Sequence, residues 1–130
     1  MRRGLLDTSV FIARESRSLD TDAIPEEVAV SVVTHAELGA GVLAAADLEV
    51  RARRMATLTT VAAMRLVPLD LAVAEQWAQL RVQLARAGRR SNVNDMWIAA
   101  TALTLGVPVV TQDDDFGVMA DLTGLGVIRV

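Results

Sequence analysis

The sequence predicts an α/β fold in which a short central parallel sheet is flanked by helices on both faces. Two observations favour this class. Short apolar stretches alternate along the chain with longer segments of helical periodicity, and the turns that join them are brief. The chain has 130 residues, which is enough to bury one apolar core without disulfides. We therefore expect residues 1–130 to form a single domain.

The first half of the chain predicts two strands and a helical hairpin. Arg3–Leu6 and Glu27–Ser31 are short apolar stretches typical of buried strands, and Pro25 marks the entry to the second. A helical stretch is expected between them, followed by a polar loop at residues 16–22. Residues 33–46 predict an apolar helix, and residues 47–63 predict a second helix from apolar residues at helical spacing.

The second half predicts three more strands and two helices. Residues 64–68 predict a third strand, and residues 72–87 predict an amphipathic helix that a glycine ends. Val93–Leu105 is apolar on nearly every side and predicts a buried helix. Residues 108–111 predict the fourth strand, and residues 127–130 predict a last strand at an edge of the sheet.

The composition excludes several functional classes. The absence of cysteine removes disulfides, zinc–thiolate sites and thiol nucleophiles, and it fits a reducing cytoplasm. All 13 basic residues are arginine, so no lysine can form a Schiff base or act as a general base.

No apolar stretch reaches the roughly 20 residues that a membrane-spanning helix needs, and no signal peptide is expected. We therefore expect a cytoplasmic protein that does not enter the membrane.

Arginine clusters are the only features that favour nucleic-acid binding, because the net charge of −3 gives no general attraction to a polyanion. The first cluster is Arg51, Arg53 and Arg54, and the second is Arg86, Arg89 and Arg90. The first is more simply interpreted as a solvated helix face. For the second, solvation and contact with phosphates both stay open.

The strongest functional signal is a set of four short acidic boxes centred on Asp7, Glu37, Asp95 and Asp113. Asp7 and Asp113 each follow a predicted strand, so both lie at the ligand-binding edge of the sheet if those strands are neighbours. Glu37 and Asp95 lie near helix starts, where the macrodipole favours negative charge. Carboxylates held together repel one another and are suited to binding a hard divalent cation. The boxes therefore predict a metal-dependent active site.

Local structural roles are the alternative explanation for these acids. Asp7 could cap the helix that follows it. Thr34 and Glu37 have the spacing of a capping box, in which Thr34 would be the N-cap, and Asn92 and Asp95 imitate the same arrangement.

The fourth box, residues 113–115, could be a solvated acidic turn. As a site, it favours Asp113 as the ligand, Asp115 as an outer-shell or second ligand, and Asp114 as an exposed residue. The remaining polar candidates beside the acids are Thr8, Ser9, Asn94 and Thr111. Their side chains could orient water, although serine and threonine are common at turns; Thr8, Asn94 and Thr111 are taken as supporting residues.

Taken together, the boxes resemble those of the PIN-domain ribonucleases, and specifically the VapC-type toxins of bacterial toxin–antitoxin pairs. The residues that carry the resemblance are residues 5–9 (LLDTS), Thr34 with residues 36–38 (AEL), Asn94 and Asp95 with residues 98–102 (IAATA), and Val110 and Thr111 with Asp113 and Phe116. The resemblance implies a PIN-like three-layer sandwich whose metal ligands are Asp7, Glu37, Asp95 and Asp113. Gln112 stands where relatives usually have arginine, and the turn before Phe116 is one residue shorter than in many relatives, so the choice between Asp113 and Asp115 stays open.

The resemblance implies an endoribonuclease toxin that cleaves structured or single-stranded RNA, whether tRNA, rRNA or mRNA, by metal-activated water. An all-oxygen ligand set favours Mg²⁺ or Mn²⁺, and either one or two ions would suit the reaction. Arg86, Arg89 and Arg90 would contact RNA phosphates.

The resemblance also implies partners. A cognate VapB-type antitoxin would cover the site, with the hairpin at residues 33–63 as a docking surface, and the assembly would be a homodimer or a toxin–antitoxin hetero-oligomer. Two alternatives remain. A catalytically silent PIN-like antitoxin-binding module would not need all four acids, and a phospho-acceptor signalling domain would need a lysine that the chain lacks.

Overall fold

The structure is a computed structural model, and it describes residues 1–16 and 19–130. Strands and helices alternate along the chain. They are β1 (Arg3–Leu6), α1 (Thr8–Ser16), β2 (Glu27–Ser31), α2 (Val32–Leu43), α3 (Leu48–Ala62), β3 (Leu66–Val67), α4 (Leu71–Arg86), α5 (Val93–Leu105), β4 (Val109–Thr111), α6 (Gly117–Thr123) and β5 (Val127–Arg129).

The strands form one parallel sheet in the order β3-β2-β1-β4-β5. The chain starts at the centre with β1, builds outward to β2 and β3, and returns to the other side of β1 with β4 and β5. The order therefore reverses at β1, with β4 as its neighbour on the returning side, where open α/β sheets bind ligands at the carboxyl ends of their strands. Leu5 pairs with Val109 and Leu6 with Val110, so the first and fourth strands are neighbours, which is the condition for Asp7 and Asp113 to lie at the same edge of the sheet.

Side chains along the strands alternate between two apolar clusters. Leu5 and Val109 belong to the cluster beneath α4, α5 and α6, whereas Leu6 and Val110 belong to the cluster beneath α1, α2 and α3. This two-residue period is the pleat of a strand whose two faces are both covered. The predicted α/β class with helices on both faces is confirmed, and the three layers are helices, sheet and helices.

Three of the predicted elements, β1, β2 and α5, have their expected bounds, and most of the others differ by one or two residues at an end. Helix α2 begins at Val32 because Ser31 is its N-cap, accepting a hydrogen bond of 3.0 Å from the Val33 amide. The third strand shrinks to two residues, Leu66–Val67. Helix α6 is absent from the sequence-based prediction, since no side chain caps its N-terminus to mark a start.

The predicted loop at residues 16–22 is only partly described. Residues 17 and 18 lie outside the described ranges, Ser16 ends α1, and Thr21–Ala23 forms a single turn of 3-10 helix. Within the described ranges, no helix combines the length and apolar character that crossing a membrane requires.

Candidate active site

Asp7 lies at the centre of the sheet edge, between the end of β1 and the start of α1. Its side chain is buried, with the residue only 3% exposed. Its Oδ2 atom accepts hydrogen bonds from Ser9 Oγ at 2.7 Å and from Thr111 Oγ1 at 3.0 Å. Burial raises the pKa of Asp7, while these two hydroxyls and the backbone amides of Thr8 and Ser9 act in the opposite direction. The carboxylate is thus held in one orientation, in an environment where burial makes its ionisation unfavourable.

Glu37 is joined to the same edge by a chain of hydroxyls. Thr8 Oγ1 donates a 2.8 Å hydrogen bond to Glu37 Oε1 and lies 2.9 Å from the hydroxyl of Thr34. A hydroxyl has only one hydrogen, so Thr34 must donate to Thr8 when Thr8 donates to the carboxylate. Thr8 and Thr34 are both buried.

The capping-box interpretation of Thr34 and Glu37 was wrong, because Ser31 caps α2 and Thr34 lies inside the helix.

Asp95 occupies the first turn of α5 and is half-buried. Asn92 is the N-cap of this helix, as its spacing suggests, and accepts hydrogen bonds from the Asn94 and Asp95 amides. The pKa of Asp95 is raised to about 7, first by burial and then by repulsion from Asp7. The macrodipole of α5 favours the ionised form of Asp95, but the loss of solvent and the neighbouring negative charges raise its pKa by more than the macrodipole lowers it.

Three further carboxylates contribute to that repulsion, in decreasing order Asp115, Glu37 and Asp113. The four acids of the sequence boxes are thus brought to one region, since such an effect depends on short separations. Asp115 acts on Asp95 more strongly than Asp113 does, so the choice between these two acids as the fourth ligand stays open.

Asp113 follows the end of β4 and is tied to it by a 3.0 Å hydrogen bond from its own amide to Thr111 Oγ1. Burial and the charges of Asp7 and Asp115 raise the pKa of its carboxyl. Asp114 faces away, with its side chain 91% exposed and paired with Arg129. The prediction that Asp114 is exposed is confirmed.

Ser9 was one of the polar candidates beside the acids, but the sequence did not single it out as a supporting residue. Besides donating to Asp7, its Oγ accepts a 3.0 Å hydrogen bond from the Gln112 amide and lies 3.1 Å from the hydroxyl of Thr111. Ser9 therefore connects the loop after β1 to the loop after β4. Its position directly after Asp7-Thr8 is a signal, but serine is so common at turns that position alone does not distinguish this role.

The other predicted supporting groups differ in their contacts. Thr8 and Thr111 both donate to site carboxylates, whereas Asn94 is exposed, and its amide donates to Asn92 while its side chain makes no hydrogen bond with the described residues. Arg86, Arg89 and Arg90 are exposed near the end of α4 and the loop before α5. Their side chains make no hydrogen bond or ion pair with the described residues, so their contact with RNA stays a prediction.

The ligand chemistry of the site suits a hard cation. Every candidate donor is a carboxylate or hydroxyl oxygen, and the mutual repulsion of the acids is what a divalent ion would relieve. Among residues 1–16 and 19–130, however, no three His, Cys, Asp or Glu side chains stand close enough together to ligate a single ion. The donors fit Mg²⁺ or Mn²⁺ by type and charge without forming a closed ligand shell.

The chain that carries this site matches a known domain family. Residues 4–122 match the model of the PIN domain, and this range includes all the acids described above. The chain belongs to the PIN domain family. The PIN-like sandwich expected from the acidic boxes is thus confirmed by both the family match and the sheet order.

Relatives of this PIN-domain protein include two ribonucleases from Mycobacterium tuberculosis. Ribonuclease VapC5 is 54% identical over 98% of this chain and 95% of its own length. Ribonuclease VapC4 is 44% identical over 94% of this chain and 95% of its own length. Among solved structures, VapBC-5 of the same organism, a member of the VapBC family of toxin–antitoxin systems, contains a chain that superposes with a TM-score of 0.93 and 51% identity over the whole of both chains.

Proposed function

We infer that this protein is an endoribonuclease of the VapC type, the toxin of a VapBC toxin–antitoxin pair, and that it depends on a divalent metal. The observation that carries the inference is the near full-length similarity to Ribonuclease VapC5 at 54% identity. The site supports it, because the acids of all four boxes act on one another at the carboxyl edge of the sheet.

We further propose which residues hold the metal. Asp7 and Asp95 are the primary ligands, since each is at least half-buried and both have raised pKa values that a cation would lower again. Glu37, Asp113 and Asp115 complete or extend the ligand set. When bound, Mg²⁺ or Mn²⁺ would supply a Lewis acid that activates water and neutralises charge on the scissile phosphate.

The chain's own contribution is orientation. Ser9 and Thr111 fix one oxygen of Asp7 and leave the other for a ligand. Thr8 fixes one oxygen of Glu37 in the same way. Carboxylates that are already oriented by hydroxyls lose little conformational freedom when they bind an ion. Hydrogen-bond partners of the ligands strengthen a metal site in this way. Asp113 is exposed and adjacent, so it can bind the ion or orient the attacking water.

The test is RNA cleavage by purified protein with Mg²⁺ or Mn²⁺. We expect EDTA to abolish cleavage and Asp7→Asn to lower it by at least a hundredfold, roughly the loss that removal of a primary ligand causes. Asp121→Asn, the same change at an exposed acid in α6, is the matched control and should cut like wild type. Equal cleavage by Asp7→Asn and wild type would refute the mechanism, and a well-folded wild type that cuts no RNA would favour the silent binding module.

The antitoxin is the proposed partner, in a hetero-oligomer, and the α2–α3 hairpin is its proposed docking surface. Leu43 and Leu48 are each 82% exposed at the tip of this hairpin, and Met55 is 46% exposed along α3. Leu58, by contrast, is partly buried against the core. Leu48→Asp should therefore weaken capture of a VapB-type antitoxin without unfolding the protein, whereas Leu58→Asp would do both.

A further inference from the structure

A cavity of about 360 Å³ opens between α1, α2 and α3, beside the acidic site. Thr8 and Glu37, which belong to that site, line one end of it, and Arg53 and Arg54 of α3 line another part. Its volume lies within the range of small-molecule sites, about 300–1,000 Å³. Two residues of the first arginine cluster, Arg53 and Arg54, thus share a cavity with Glu37, although some 16 residues separate Glu37 from Arg53 in sequence.

The two arginines of this cavity have no acidic partner within the described ranges. The ion pairs found there join Arg2 to Glu26, Arg3 to Glu27 and Arg129 to Asp114. Arg54 donates a 2.7 Å hydrogen bond from Nη1 to the carbonyl of Gly41, which holds its guanidinium in place and leaves its other N–H groups free. Arg53 is exposed at the rim. Two unpaired guanidinium groups in one concave surface are suited to a phosphate.

Glu15 restricts what the ligand can be. It lines the same cavity, and its Oε1 atom is buried without a hydrogen-bond partner among the described residues. A simple anion would be repelled by this carboxylate. A nucleotide carries hydrogen-bond donors, the 2′-hydroxyl and base amines, as well as its phosphate. The cavity therefore fits a nucleotide better than it fits a free inorganic anion.

A larger cavity, of about 570 Å³, lies at the opposite edge of the sheet, where β1 and β2 begin. Its Arg3 already pairs with Glu27 at 2.7 Å, and the acids of the active site lie at the other ends of the strands. It offers no comparable set of free cations beside the reactive groups.

We propose that the cavity between α1, α2 and α3 seats one nucleotide of the RNA strand next to the cleaved bond, with its phosphate held by Arg53 and Arg54. The proposal rests on the ribonuclease function above and extends it to substrate binding. Phosphate contacts position a strand without reading its sequence. These arginines therefore position the RNA, and other residues determine which RNA sequence is bound.

The experiment compares Arg53→Ala with Arg51→Ala. Arg51 lies on the same helix, donates to the carbonyl of Ala45 and does not line the cavity, so it is a matched control for lost positive charge. Binding of a short fluorescent single-stranded RNA is measured over a salt series in the Asp7→Asn background, which prevents cleavage. Cleavage of the same RNA is measured with Asp7 intact, and melting curves check folding.

We expect Arg53→Ala to weaken RNA binding roughly tenfold and to make the slope of log K against log[salt] less negative by about 0.7, the value for one lost contact with a single strand. KM should rise while kcat stays within about twofold, and Arg53→Lys should restore most of the affinity. Arg51→Ala should match its parent at equal ionic strength.

The outcomes separate the two proposals. A wild type that cuts no RNA with either metal removes the ribonuclease function itself. A wild type that cuts RNA, together with an Arg53→Ala variant whose KM and salt slope equal those of Arg51→Ala, overturns only the nucleotide seat. Loss of antitoxin binding by Arg53→Ala with unchanged RNA binding would also overturn it, because the cavity would then belong to the protein partner.

Discussion

The hydroxyl of Thr111 donates a 3.0 Å hydrogen bond to Oδ2 of Asp7, across 104 positions of sequence. The bond joins the ends of β1 and β4, the two strands that meet where the order of the sheet reverses. Through it, the fold of the sheet fixes the orientation of the most buried acid of the site.

Replacing Thr111 with valine should impair catalysis more than stability. The change keeps the shape of the side chain but removes the donor to Asp7, so kcat should fall roughly 10- to 100-fold, as losses of outer partners in metal sites do. The unfolding free energy should fall by only about 1 kcal/mol. Thr101→Val is the matched control, because Thr101 is also fully buried but donates only to the Trp97 carbonyl of its own helix. Equal kcat values for the two variants would contradict the role given to Thr111.

Stability of the metal-free protein should decrease with pH. The pKa of Asp95 is about 7 in the fold against its ordinary value of 3.8, so between these values the folded state keeps a proton that the unfolded chain has already released. Asp95 therefore does not lower stability below about pH 4, lowers it increasingly as pH rises to about 7, and adds no further change above that. Allowing for solvent screening of a half-buried carboxyl, the loss is roughly 1–2 kcal/mol.

Urea unfolding in EDTA at several pH values measures this decline, and Asp95→Asn should remove most of it. The remainder should come from Asp7, whose raised pKa acts in the same direction. A wild type whose stability rises over this range would show that the acids do not repel one another as described.

Adding Mg²⁺ or Mn²⁺ should reverse the destabilisation, because a cation that binds only the folded acids shifts the unfolding equilibrium. At a hundredfold excess over Kd the gain is about 2.7 kcal/mol. The rise in Tm should be larger above pH 7 than at pH 5, since Asp95 must lose its proton to bind the ion. Asp95→Asn should respond weakly and the control Asp121→Asn fully; an equal response from both would place the ion elsewhere.

The two acids of the fourth box should both matter, and Asp115 at least as much as Asp113. Asp115 is the stronger of the two in raising the pKa of Asp95, so Asp113→Asn and Asp115→Asn should each lower kcat about tenfold or more. Asp114→Asn is the control, because that side chain is 91% exposed and paired with Arg129. Single-turnover cleavage rates compare the three, and full activity in Asp115→Asn would restrict the site to Asp113.

Gly4 should tolerate no side chain. A Cβ atom there would lie 2.7 Å from Val110 Cγ2 and 3.0 Å from Pro25 Cγ, so these two packed side chains would have to shift. Gly4→Ala should lower the unfolding free energy by about 1–3 kcal/mol, the usual cost of overpacking. Gly39→Ala, within α2 and with open space around its Cβ, should raise it by about 0.5–1 kcal/mol. Urea denaturation of both variants tests the difference in sign.

Local sequence was sufficient for most of the fold. The bounds of Arg3–Leu6, Glu27–Ser31 and Val93–Leu105 agree with the structure residue for residue, because the apolar pattern of each is continuous and ends at a turn or cap. Helix α6 was missed because it is short and lacks a capping side chain. It is stabilised in the fold by packing of the buried Met119, which the local sequence does not reveal.

The sequence singled out the four acids of the candidate site and the neighbouring hydroxyls of Thr8 and Thr111, but it did not predict which of these groups contact one another. Asp7, Glu37, Asp95 and Asp113 stand out because charged residues interrupt apolar stretches at strand ends and helix starts. The contacts of Ser9 and Thr34 were not predicted, since serine and threonine are frequent in any turn or helix start. Which hydroxyl donates to which carboxylate depends mainly on contacts between distant segments, since Thr8 and Glu37 are 29 positions apart and Asp7 and Thr111 are 104 apart.

The sequence by itself therefore determined most of the secondary structure, apart from α6, together with the all-oxygen chemistry of the site and the absence of lysine and thiol chemistry, because these follow from residue type and local periodicity. The tertiary structure alone decided that β4 lies beside β1, that Ser9 and Thr111 hold Asp7, and that Arg53 and Arg54 share a cavity with Glu37. Those relationships arise from the order of strands in a sheet and the packing of helices upon it, which local patterns of residues do not encode.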